Sequence, residues 1–303
     1  MFRKVKRYLR DPYYEIGHDM LAKHPNWMSD KWWLSVVWKE TRGYKLDWSN
    51  PMTYNEKLQW LKLYDYRPEY DKFVDKYEAK KWLAQTFGGE FIVPTIGLYE
   101  RTSDIILEHL PDEFVIKCTH DSGSTYICKG KTNFDWSDVR NKLDEHLKFN
   151  FYYQQREKAY KDIQHRIIIE PLLLCANGRI PNDYKCFFVN GRIAFIYVSF
   201  DREGINDRCV YNKKWERLPF VYVARNEYKP GMNTSIVPRP RTLEKMIEIG
   251  SRIAKLFKTV RVDFYDVDGK LYIGEITLYH GGGADCFYPE EYDLIYGQKL
   301  KLD

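Results

Sequence analysis

The chain of 303 residues carries 48 Lys and Arg against 43 Asp and Glu, a net charge of +5, with 44% hydrophobic and 30% charged residues. That composition is ordinary for a soluble globular protein long enough to form two or three lobes, and the charge is too mild and too dispersed to argue for nucleic acid. No apolar run approaches the length of a membrane span, and the six cysteines show neither C-x-x-C nor zinc-like spacing, so they read as reduced thiols of a cytoplasmic protein.

Aromatic residues make up 17% of the chain, and most of the Trp fall before residue 83. They suit either stacking surfaces for rings and sugars or the aromatic core of a helical lobe. At the start, Phe2, Val5, Tyr8 and Leu9 share one helical face among Arg and Lys, the pattern of a solvated first helix or of a peripheral contact with an anionic membrane. Residues 1–90 read as helical. Thr53 with Glu56 forms a capping box, and Asp75 opens a second helix that stops at Gly88 and Gly89.

From residue 91 strand patterns take over. Glu113-Phe-Val-Ile-Lys-Cys118 is a strand, Thr119-His-Asp-Ser-Gly-Ser124 a polar turn, Thr125-Tyr-Ile-Cys128 the returning strand, and residues 136–150 have helical spacing. A second lobe is expected to begin near Arg166 with the buried run that ends at Leu174. The strands around the Asn190-Gly191 turn follow, then a long loop over 201–240, a helix capped by Thr242, and a hairpin around Asp268-Gly269. The expected domains are thus a helical region over 1–90, a small α+β lobe over 91–165 and a larger α+β lobe over 166–303.

The hairpin carries the most chemistry. A two-residue loop would put Asp263 and Glu275 on contrary faces. A three-residue loop, Val267-Asp268-Gly269, pairs Asp266 with Lys270 and gathers Arg261, Asp263, Glu275 and Thr277 on one face. Two carboxylates beside an Arg suit a hard divalent cation shared with phosphate oxygens. The plain alternative is a solvated hairpin with a cross-strand Arg–Glu pair. Lys117, late in its strand before a Gly/Ser turn containing Asp121, Ser122, Gly123 and Ser124, offers an ammonium and a nest of N–H groups for polyphosphate, or is a strand Lys before an ordinary turn. Lys76 sits at the disfavoured, positive end of a helix, which hints at an anionic partner.

Glu170-Pro-Leu-Leu-Leu174 is either a connector or an acid-led segment whose peptide groups, at Leu172 and Leu173, meet the edge of an adenine. Asp183 and Lys185 share a strand face, and Arg202 and Arg208 are donors for a substrate carboxylate or phosphate unless they are merely solvated. His120 and His280 each neighbour a Gly-containing turn and receive no role.

In order, these pieces resemble the ATP-grasp superfamily, and more specifically the TupA-like ATP-grasp family, named for teichuronopeptide synthesis and found in bacterial polysaccharide clusters. The segments that carry the likeness are Tyr54-Asn-Glu-Lys-Leu-Gln-Trp-Leu-Lys62, Asp75-Lys-Tyr77, Phe114-Val-Ile-Lys117, Glu170-Pro-Leu-Leu173, Asp183-Tyr-Lys185 and Arg261-Val-Asp-Phe-Tyr265. The resemblance covers about residues 50–300.

It implies ATP held between two α+β lobes: Lys76, Lys117 and the 119–124 loop on the phosphates, Glu170 to Leu174 on adenine, and Mg²⁺ on Asp263 and Glu275. Thr277 takes the last metal position, where many superfamily members have Asn, and Arg261 steadies developing negative charge. The implied reaction activates a uronic-acid carboxylate as an acylphosphate for attack by an amine, with a glycan, sugar-nucleotide or lipid-linked sugar acceptor and an amino acid as partners. Phosphate transfer to a sugar hydroxyl, glycosyl transfer through Asp266-Val-Asp268, and a non-enzymatic glycan-binding module are the competing readings.

Overall fold

The computed structural model describes residues 28–302 except 202 and 205, so the amphipathic start at residues 1–10 and Arg202 lie outside the described residues. Three helices open the described chain: α1 (Asp30–Arg42), α2 (Tyr54–Tyr64) and α3 (Lys76–Phe87). Both expected caps are present. The Glu56 N–H donates to Thr53 Oγ1 while Glu56 Oε2 accepts from the Thr53 N–H, and Asp75 accepts from the N–H groups of Tyr77 and Glu78. Such caps satisfy amides that the first turn leaves without a partner.

A four-stranded antiparallel sheet follows, in the order β1 (Gly97–Tyr99), β4 (Ile167–Pro171), β2 (Glu113–Cys118), β3 (Tyr126–Lys129). Strand period decides its two faces. Phe114, Ile116 and Cys118 are buried with Ile167 and Ile169 against Val139 and Leu143 of helix α4 (Trp136–Lys148). Val115, Lys117 and Glu170 are left for the other face. Truncating Phe114 to Ala would cost about 3–5 kcal/mol.

Strand β4 was expected to open the larger lobe; its pairing with both β1 and β2 puts it in this smaller sheet instead. The physical reason is its apolar run: three consecutive buried Ile alternate sides, so they need a neighbour on each edge and cover on both faces.

The larger sheet is antiparallel in the order β10 (Lys270–Thr277), β9 (Thr259–Val267), β5 (Asp183–Val189), β6 (Arg192–Phe200), β7 (Asp207–Tyr211). Helix α5 (Leu243–Ala254) buries Leu243, Met246, Ile249 and Ile253 in the core that also holds Cys186, Phe188, Val262 and Phe264. Thr242 does not cap this helix through its side chain. It donates its own N–H and hydroxyl to Asp266 Oδ2, both at 2.9 Å. A two-stranded ribbon, β8 (Val221–Val223) with β11 (Cys286–Tyr288), and helix α6 (Glu291–Lys299) complete the fold.

Helix α2 docks on α6. Asn55 donates from its backbone and side chain to the two oxygens of Asp293, at 2.9 and 3.0 Å. All six cysteines are free, and among the described residues no helix is long and apolar enough to cross a membrane.

The hairpin turn differs from expectation in an instructive way. Val267 pairs with Lys270 across a two-residue turn, Asp268-Gly269, with φ of 54° and 95°, rather than Asp266 with Lys270 across three residues. That geometry matches the twist of the flanking strands. Left alone it would separate the carboxylates, but the register shifts between Ile273 and Glu275. Asp263 is thereby set opposite Glu275, and Arg261 opposite Thr277. A bulge at Gly274 therefore does what the longer loop was expected to do.

Candidate active site

Between the two sheets lies a cleft of about 430 Å³. From the small sheet come Val115, Lys117, Ile127 and Glu170. From the large sheet come Asp183, Lys185, Arg261, Asp263 and Glu275. Lys76, Ser122, Leu172 and Leu173 also reach it. The strands explain this gathering. One row of paired residues crosses the large sheet as Glu275, Asp263, Lys185 and Tyr197, and paired residues share a face.

On the small-sheet wall, Lys117 Nζ lies 2.6 Å from Glu170 Oε2, and Lys80 Nζ contacts Glu170 Oε1. Burial alone would raise the Glu170 carboxyl, but the two ammoniums outweigh it and hold the group below its ordinary value. Burial lowers Lys80, with Glu170 working against that shift. Lys80 was missed in the sequence. Its spacing from Lys76 was the available signal, since residues four apart lie on one helix face.

On the large-sheet wall, Arg261 grips Asp263 with two hydrogen bonds, Nε to Oδ1 at 2.6 Å and Nη2 to Oδ2 at 2.7 Å. Lys185 Nζ donates to the same Oδ2 at 3.0 Å and also contacts Asp183. Burial opposes ionisation of Asp263, yet Arg261 and Lys185 keep its carboxyl below the usual range. Glu275 Oε2 is 3.9 Å from Arg261 Nη2.

His280, left without a role in the sequence, meets Arg261. Its Nδ1 accepts from Arg261 Nη1, and its Nε2 lies 2.9 Å from Asp285 Oδ2. Burial pushes this imidazole down, with Asp285 opposing, so the neutral ring accepts from one neighbour and donates to the other. The loop that carries it, His280–Gly283, is held from α2, where Gln59 and Lys62 both donate to the Gly282 carbonyl. Gly281 and Gly282 have φ of 54° and 58°, a conformation that favours glycine. Sequence reasoning saw a His beside glycines but had no way to place it on Arg261.

The 119–124 loop divides. Ser122 faces the cleft, and Lys76 Nζ donates to the Asp121 carbonyl. The side chains of Asp121 and Ser124 turn into the loop. Ser124 Oγ donates to Asp121 Oδ1 at 2.5 Å and accepts from the Cys118 N–H at 3.0 Å, while Asp121 Oδ2 is 2.5 Å from His146 Nδ1. Gly123, with φ of 98°, supplies the bend. His120 is stacked on His165 at 3.8 Å, and burial with that neighbour pushes it to about 4, which fits a structural ring rather than a base.

Thr277 and Arg208 do not line the cleft. Arg208 lies on β7 and pairs with Glu227. The Asp266 and Asp268 carboxylates are taken up by backbone: Asp266 accepts from the N–H groups of Thr242 and Gly269, and Asp268 from that of Ala176.

The cation implied by the resemblance can be tested against the donors. Among the described residues no three His, Cys, Asp or Glu side chains converge into a closed cage. An ion shared with substrate oxygens needs only one or two carboxylates. Asp263 and Glu275 oppose each other across the strands, and the buried Thr277 hydroxyl on their face has no hydrogen-bond partner. Asp263 accepts three hydrogen bonds, which leaves a carboxylate one of its four lone-pair sites. The set fits a shared ion.

Two sheets facing across a charged cleft, with a strand-end Lys on one wall and an R-x-D hairpin on the other, define an ATP-grasp architecture. The family model described as TupA-like ATPgrasp matches residues 56–301, and the chain belongs to that family. A search of curated proteins found no significant match.

Among solved structures, the D-alanine–D-alanine ligase from Bacillus anthracis complexed with ATP is 15% identical with a TM-score of 0.42, covering 75% of this chain and 65% of its own. The L-amino acid ligase from Bacillus licheniformis is 10% identical with a TM-score of 0.49, covering 91% and 63%. The chain thus spans less than two thirds of the length of either ligase.

Proposed function

We propose that the chain is an ATP- and Mg²⁺-dependent ligase of bacterial surface polysaccharide synthesis that joins a carboxylate, such as that of a uronic acid, to an amine. The single observation that carries the reading is the cleft itself, which gathers Lys117 with Glu170 from one sheet and Arg261, Asp263 and Glu275 from the other.

Lys117 and Lys76 oppose the negative charge of the phosphates. Leu172 and Leu173 line the cleft just past the end of β4, where their peptide groups meet the edge of the adenine. Asp263 and Glu275 would hold Mg²⁺, which when bound neutralises phosphate oxygens. The substrate carboxylate oxygen attacks the terminal phosphorus and the bond to ADP breaks. The amine nitrogen then attacks the acyl carbon, the carbon–oxygen bond to phosphate breaks, and the nitrogen loses a proton to water. Arg261, fixed by Asp263 and His280, faces the oxygen that gains charge.

The test is incubation with ATP, Mg²⁺, candidate uronic acids and pooled amino acids, reading ADP and product mass. ADP release that requires both acid and amine, with a product of the condensed mass, is the expected result. Release with a neutral sugar and no amine would replace the ligase with a phosphotransferase.

A further inference from the structure

A second concavity, of about 1110 Å³, lies where the β5–β6 turn meets the C-terminal ends of α5 and α6. It shares no lining residue with the cleft. Lys185 stands in the cleft and Val189 in this groove, about 14 Å apart along one strand at about 3.4 Å per residue.

Its charge is lopsided. Arg67, Arg192, Lys255, Lys258, Lys299 and Lys301 line it, with Asp65 the one carboxylate among the lining residues. That local excess of five equals the net charge of the whole chain, +5. Several exposed cations elsewhere are paired, as in Lys81–Glu78, Lys142–Asp138 and Arg239–Glu244, and the unpaired ones among the described residues, such as Lys213 and Lys229, line no concavity with this excess of charge. Among the described residues no carboxylate forms an ion pair with Arg67, Arg192, Lys255, Lys299 or Lys301. Asp65 itself accepts from the Tyr70 hydroxyl.

Helix dipoles account for Lys255 and Lys299, which sit at helix C-termini. They do not account for Arg67, Arg192 or Lys301. The backbone that bears these cations is fixed. Asn190 donates its N–H to the Lys258 carbonyl at 2.7 Å and its side chain to the Lys299 carbonyl at 2.8 Å, and Arg67 donates to the Leu256 carbonyl at 3.0 Å. Between the cations runs an apolar floor of Ile193, Ala194 and Leu256, the last 42% exposed.

We propose that this groove binds an acidic glycan, a linear chain with carboxylates in series. Like charges held together repel, and a polyanion relieves that repulsion along its length. The apolar floor meets the C–H face of a sugar ring, which polyphosphate lacks. Phe257, the aromatic residue in the lining, is buried at 7% exposure, so bases have no ring on which to stack. The hollow also contrasts with the flat contact a bilayer needs. This inference stands apart from the ligase reading.

Fluorescence anisotropy of a labelled oligogalacturonate with the full chain tests it. Binding is expected that weakens steeply with salt, is absent for labelled dextran, and falls about tenfold or more in the double variant Arg192→Glu, Lys301→Glu. Tm and ATP binding of that variant should match wild type, which separates this groove from the cleft. Equal binding of dextran, an unaffected double variant, or tighter binding of single-stranded RNA or of phosphatidylglycerol vesicles would overturn the proposal.

Discussion

On the small-sheet wall one carboxylate, Glu170, stands between the ammoniums of Lys80 and Lys117; on the large-sheet wall three carboxylates, Asp183, Asp263 and Glu275, face Lys185 and Arg261. The first wall keeps an excess of positive charge and the second an excess of negative charge. A polyphosphate bridged to a divalent cation has that same polarity. The walls also differ in freedom. Glu170 and Asp263 are locked by their partners, whereas the Glu275 side chain is 33% exposed and, among the described residues, makes only the long ion-pair contact to Arg261. Substitutions should therefore separate residues that hold a wall together from residues that act on substrate.

The largest effect is expected on the large-sheet wall. Asp263→Asn and Glu275→Gln should each lower ATP turnover about 100-fold or more, read as ADP release. They should differ in stability. Asp263→Asn leaves buried Arg261 and Lys185 undercompensated, at about 3–5 kcal/mol, while Glu275→Gln should stay within about 0.5 kcal/mol of wild type in urea unfolding. Equal stability losses would mean that Glu275 is as structural as its neighbour.

The small-sheet wall should answer in stability first. Glu170→Gln strands two ammoniums and should cost about 3–5 kcal/mol. The sign of its pH dependence follows from the lowered carboxyl. A group that ionises more readily folded than unfolded contributes stability that is complete above its ordinary value of 4.5 and is lost as pH falls through the folded value. The gap between wild type and Glu170→Gln should therefore narrow below pH 4.5. A gap that widened on acidification would show that burial, not the two lysines, dominates at this acid.

Much of this polarity was legible in the sequence, because an Asp-Gly turn, a strand-end Lys and alternating acids are local signals. The count across the hairpin was not. Alternation fixes which residues share a face only if no residue is extra, and Gly274 is extra to the ladder. A Cβ there would come within 2.9 Å of the Tyr265 ring, a tertiary contact that no pattern reveals. Asp121 and Ser124 looked like phosphate ligands because small polar residues make nests, yet the same residues also make turns that bond to themselves. Strand β4 was assigned to the wrong sheet because an apolar run says that it is buried, not between which neighbours.

His280 tests the step that only the folded chain exposes. His280→Ala removes one acceptor from Arg261 and leaves Asp263 in place. A loosened guanidinium should lower kcat by up to about 100-fold with the KM for ATP little changed, if Arg261 acts on the reacting oxygen as proposed and not on the adenine. A rise in KM with kcat intact would place His280 on the binding side.

The smallest effect separates the loop from the walls. Lys76 begins α3 and donates to the Asp121 carbonyl. Lys76→Met removes a cation from the positive end of a helix, a gain of about 0.3–1 kcal/mol, and removes one hydrogen bond, a loss of about 0.5–1.5 kcal/mol. The two nearly cancel, so Tm should move little. Any change in nucleotide affinity then reports the ammonium and not unfolding. A charge-assisted contact to phosphate lost from the cleft should raise the KM for ATP about tenfold and leave the Glu170→Gln stability deficit unchanged, because Lys76 makes no contact with that carboxylate. An unaltered KM would reduce Lys76 to a strut for the 119–124 loop and leave Lys117 as the phosphate-facing cation of the small-sheet wall.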